Sequence, residues 1–70
     1  MAAVKDAREA EDMVDEYYRE RFPFGPWPND FETYKRGYTW IVNYNLQTVM
    51  DIEEHEVHIN ARTGNMVMIK

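Results

Sequence analysis

The chain has no cysteine and no serine. The first absence excludes disulfide staples and thiolate metal sites. The two together remove the commonest side-chain nucleophiles and leave only threonine, lysine and tyrosine for covalent chemistry. Glycine is scarce, three residues standing alone, so no phosphate-cradling loop can be drawn. No apolar run reaches the roughly 18 residues a membrane-spanning helix needs. Positive charge is also short, with 8 Lys and Arg against 13 Asp and Glu for a net charge of −5. The only adjacent basic pair is Lys35-Arg36. Phosphate recognition needs a concentrated basic face, so nucleic acid is not an expected partner. The start, Met1 to Asp6, is charged almost at once and has no hydrophobic signal core, which is the expectation for a cytoplasmic chain. A secreted fragment trimmed and given a new methionine has the same pattern.

What the chain does have is aromatic mass. Two Trp, five Tyr and three Phe stand in 70 residues, enough for one domain and no more. A chain this short buries only about 60% of the surface its unfolded form exposes. The aromatics are therefore expected mainly in the core, with self-association as a supplement.

From Ala3 to about Arg21, apolar residues recur at helical spacing: Ala3, Ala7, Ala10, Val14 and Tyr17, widened by Met13, Tyr18 and Phe22. Pro23 ends the helix. Residues 22–30 hold all three prolines and read as a stiff connector in which Phe24 and Trp27 fold back to plug one end of the core, or else serve as a recognition segment. Asn29-Asp30 reads as a turn. Residues 34–46 alternate with period two, Tyr34, Arg36, Tyr38, Trp40, Val42, Tyr44 and Leu46 sharing one parity, and predict a strand. Arg36-Gly37 marks either a bulge or its actual start. Residues 47–54 are a wide loop or the continuation of two strands as an arm. Alternation resumes over residues 54–61, with Val57 and Ile59 facing the core. Ala61-Arg62-Thr63-Gly64 fits a type I turn with Gly64 at positive φ, Asn60 bonding the turn backbone. Residues 65–70 form the last strand. The predicted fold is one α+β domain over residues 1–70, an N-terminal amphipathic helix packed on a three-stranded antiparallel meander.

The run Glu56-Val57-His58-Ile59-Asn60-Ala61-Arg62-Thr63-Gly64-Asn65-Met66 resembles the C-terminal signature of PepSY domains, in which an alternating strand ends in an Asp- or Asn-Ala-x-Thr-Gly turn and re-enters a strand. Trp40-Ile41-Val42 is similar to that family's central strand, and the Ala-rich helix suits its leading helix. The resemblance implies a helix on a short antiparallel sheet and a non-catalytic role, since such modules occur in peptidase propeptides and are thought to inhibit or regulate proteases. They usually belong to exported or membrane-attached proteins, and no signal or anchor is visible here. The family has no fixed catalytic residues to carry over, and Arg62, Thr63 and Gly64 read as turn chemistry.

His55 and His58 lie on opposite faces if strand-borne, while Glu54, Glu56, His58 and Asn60 form one solvated row. The carboxylates have no hydrophobic shelter to shift their pKa values, so neither an enzyme nor a cofactor or metal site is expected. The expected partner surface comprises Asp51, Glu53, Glu54 and Glu56 together with Met66 and Met68 of the last strand. The leading expectation is thus a small binding or regulatory module of PepSY-like shape, modulating a peptidase. The alternatives are a self-associating structural protein pairing through the last strand, and a ligand carrier or enzyme subunit with a pocket lined by Tyr17, Tyr38 and Trp40.

Overall fold

The computed structural model describes residues 3–70. One helix, α1 (Ala7–Arg21), precedes four strands, β1 (Asn29–Arg36), β2 (Thr39–Gln47), β3 (Ile52–Asn60) and β4 (Met66–Met68). The strands form one antiparallel sheet in the order β1-β2-β3-β4, with α1 on one face. The α+β class and the meander stand as expected. The strand count does not: the described residues form four strands, not three.

The extra strand comes from dividing residues 34–46. Arg36 pairs with Thr39 across a two-residue loop, Gly37-Tyr38. Gly37 has φ 60, the first central position at which tight hairpin loops call for glycine. A two-residue loop places positions i and i+3 on the same face, so the alternation changes parity there. Tyr34 and Arg36 consequently lie on the opposite face from Trp40, Val42, Tyr44 and Leu46. Asn29-Asp30 is not a free turn but the start of β1. Asp30 and Phe31 together oppose the single residue Tyr44, a bulge accommodated by Asp30 at φ 53. Over residues 47–54 the strands run on and a loop occupies the middle of the stretch. Gln47 pairs with Ile52, leaving only Thr48 to Asp51 in the loop, where the Thr48 N–H and hydroxyl both donate to the Asp51 carbonyl.

The helix begins at Ala7 rather than Ala3. Asp6 is extended and its carboxylate accepts the Glu9 N–H at 2.8 Å, which satisfies one of the free amides of the first turn. The residues ahead of it have a different task. Val4 is buried, donates its N–H to the Ala61 carbonyl at 2.8 Å and accepts the Trp40 indole N–H at 3.0 Å. At the far end α1 stops at Arg21, before Pro23, as expected.

Between helix and sheet, Ala10, Val14 and Tyr18 pack on Trp40, Val42, Tyr44, Leu46, Val57 and Ile59. The connector does not plug this core. Phe24 is 98% exposed, and Trp27 lies outside, over the Arg19 guanidinium at 4.3 Å, its indole N–H held by the Phe22 carbonyl. Only Pro28 of that segment is buried.

Candidate interaction surfaces

The second face of the sheet has no layer over it among the described residues. The strand register places Tyr34, Ile41, His58 and Val67 in one row across all four strands of this face. Ile41 is only 4% exposed, because its direct partners Tyr34 and His58 flank it on both sides. Tyr34, Val67 and Ile69 remain about half exposed. One row along, Glu32, Asn43 and Glu56 follow, and Glu56 hydrogen-bonds the His58 imidazole. The face thus carries apolar Tyr34 and Ile41 on one side and Val67 and Ile69 on the other, with the His58–Glu56 pair between them and charged residues beyond.

The edges of the sheet differ. Pro28 precedes β1, a bulge interrupts it, and Glu32, Lys35 and Arg36 line it, all features that discourage pairing with another strand. β4 has none of these. Met66-Val67-Met68-Ile69 carries no charge. The Asn65 carbonyl and the Ile69 N–H bond β3, and Val67 is paired with His58. By alternation, the N–H and C=O groups of Met66 and Met68 point away from the sheet.

Beside β4 on the helix side lies a groove of about 250 Å³, lined by Met13, Glu16, Tyr17, Glu20 and Met66. It exists because α1 lies mainly over β1 and β2 and so stands to one side of β4.

The residues expected to form one partner surface are divided by the fold. Asp51 sits in the β2–β3 loop, its carboxylate accepting the Ile52 N–H. Glu53 shares the helix-side parity and approaches His55 at 3.1 Å, whereas Glu54 and Glu56 lie on the uncovered face. Met66 and Met68 lie on the helix side, Met68 within 3.9 Å of the Tyr44 hydroxyl. His55 and His58 fall on opposite faces, as their spacing requires. Tyr17, Tyr38 and Trp40 line no common pocket: Tyr17 borders the groove, Tyr38 is exposed under Arg62, and Trp40 is sealed beneath Val4. Ile41 and Tyr34, which have opposite parity along the chain, are brought together on the uncovered face. The lone Gly37 between two aromatic runs was the signal that could have placed them.

The turn residues behave as turn chemistry. Gly64 has φ 79, and the Asn60 side-chain oxygen accepts the Arg62 and Thr63 N–H groups at 2.8 and 3.0 Å. Arg62 stacks on Tyr38 at 3.8 Å, and the Ala61 N–H bonds the Tyr38 carbonyl, so the β1–β2 and β3–β4 loops are held side by side.

The Tyr44 phenol is internal. Burial pushes the Tyr44 phenol far above its ordinary range, and the hydrogen bond to Tyr18 adds to the shift, so it stays neutral. Its ring is stacked on His55, whose nitrogens meet the Lys70 carbonyl and Glu53. Among the described residues, no group of three or more His, Asp or Glu is placed to hold a metal ion, and no helix is long and apolar enough to cross a membrane. Comparison with protein-family models, with curated proteins and with solved structures gave no match for this chain.

Proposed function

We propose that this chain is a small non-catalytic binding module of PepSY-like shape that regulates a peptidase by docking on it. The observation that carries this reading is the uncovered sheet face, where half-exposed Tyr34 at one end of the central row and Val67 and Ile69 at the other stand without a covering layer among the described residues, with Ile41 and His58 between them. Exposed apolar clusters with polar borders are typical of protein contact sites. The Asn-Ala-Arg-Thr-Gly turn supplies the link to peptidase regulation through its resemblance. An inhibition assay against a panel of serine, cysteine and metallopeptidases tests it. Inhibition at micromolar protein, weakened by Val67→Asp, is the expected result; no inhibition and no complex with any peptidase would refute it.

A second reading, self-association through β4, is favoured by that strand's unpaired edge. Sedimentation velocity at high concentration separates the two, since a strict monomer leaves no room for it.

A further inference from the structure

The β4 edge and the groove beside it are adjacent, and each constrains what could be bound there. Met66 and Met68 direct two N–H and two C=O groups outward, a spacing that matches one added strand. Side chains of an added strand would alternate between the two faces of the sheet. Those on the helix side would enter the groove, whose floor is apolar (Met13, Tyr17, Met66) and whose rim carries Glu16 and Glu20. Arg21 lies over the Tyr17 ring at 4.3 Å. Two carboxylates stand at the groove against this one cation, so the net charge of the groove is negative.

We infer that β4 accepts an extended basic peptide as a fifth strand, with an apolar residue in the groove and Lys or Arg two positions to either side. This rests on the binding-module reading and gives it a partner chemistry. Charge decides between such a peptide and a second copy. A two-fold axis through Val67 would pair Met66 with Met68 of the other copy, and it would set two acid-rimmed grooves side by side on one face of chains each carrying a net charge of −5. Like charges so placed oppose association, whereas a cationic strand is drawn to the same rim. The guarded β1 edge, with its bulge and preceding proline, offers no equivalent site.

The test uses a fluorescein-labelled peptide, Lys-Thr-Leu-Thr-Lys-Thr, and a twin with Glu in place of Lys, followed by fluorescence anisotropy on the full chain. The basic peptide should bind at least about tenfold more tightly than the acidic twin, and the difference should shrink as salt is raised. Glu16→Lys with Glu20→Lys should weaken it by about tenfold. Met68→Pro removes an outward N–H while leaving the β3 pairing of Val67 intact, and should abolish binding. Should that variant not fold by circular dichroism, a peptide N-methylated at alternate residues serves instead, and it should not bind. Equal affinity for both twins, or binding indifferent to Met68→Pro and to N-methylation, would overturn the inference. So would a wild-type dimer that Met68→Pro dissociates. Peptidase inhibition without peptide binding would sink this inference alone, while peptide binding without any inhibition would leave it standing and remove the regulatory role.

Discussion

The hydroxyls of Tyr18 and Tyr44 lie 2.7 Å apart in the buried layer between α1 and β2. Each is the other's close polar partner, and Tyr44 also makes a long approach to the Met68 sulfur. Replacing one by Phe leaves a hydroxyl without that partner in a dry environment, at a cost of about 1–3 kcal/mol. Replacing both removes the unmet demand. The expected result in urea titrations is that Tyr18→Phe and Tyr44→Phe together cost less than the sum of the single changes, and strict additivity would show that the pair is not coupled.

The same pair gives a pH dependence. Because burial raises the folded-state pKa of Tyr44 above its unfolded value, the native state holds the proton more tightly. Its contribution is complete below the unfolded pKa of about 10 and declines as pH rises above it. Thermal melts between pH 8 and 11 should show wild-type stability falling at the alkaline end, with a shallower fall in Tyr44→Phe. Identical slopes would contradict this assignment.

Thr33 stands on the helix side of β1 with its hydroxyl oxygen buried and unpartnered. Thr33→Val keeps the shape and the β-branched side chain while removing a polar group that water can no longer serve. A gain of about 1 kcal/mol is expected, which for a domain this size raises Tm by roughly 4–8 °C. A lower Tm would mean that the hydroxyl has a partner after all.

Gly64 and Asn60 hold the last hairpin in different ways. Gly64→Ala forces a Cβ into the left-handed region and should cost about 1–2 kcal/mol. Asn60→Ala deletes the acceptor of two backbone N–H groups and should cost about the same. Both losses are readable in chemical denaturation, and hydrogen exchange at Arg62 and Thr63 should accelerate in the Asn60 variant. Unchanged exchange there would argue that water replaces the side chain without penalty.

The parts of the fold legible in the sequence were those with a strong local signature. The helix stripe, its stop at Pro23 and the Thr63-Gly64 turn all have a residue whose backbone chemistry compels the geometry. The Gly37 hairpin is hidden in the sequence because aromatic and basic residues continue the alternation through it, and because Tyr34 and Tyr38 share parity with core aromatics by coincidence. A 13-residue strand was itself a warning, given that strands average about 5–6 residues. The sequence pattern starts the helix early because Ala3 shares the spacing of Ala7 and Ala10. Val4 is instead held by Ala61 and Trp40, far along the chain. The groove was not legible at all, since it depends on the lateral position of α1 over β1 and β2, which no local pattern encodes.

That distant contact has a consequence for the order of events in folding. Every strand pairing joins neighbours in sequence, so the sheet can grow from short loop closures. The junction of Val4 with Ala61 and Trp40 instead brings together nearly opposite ends of the described chain, at the end where the first and last hairpin loops also meet. Its closure carries the largest entropic cost and depends on both loops being in place, so it is expected last. Trp40 is the donor in that junction and stands apart from Trp27, which leaves its emission, in a Trp27→Phe background, as a clock for the final step alone.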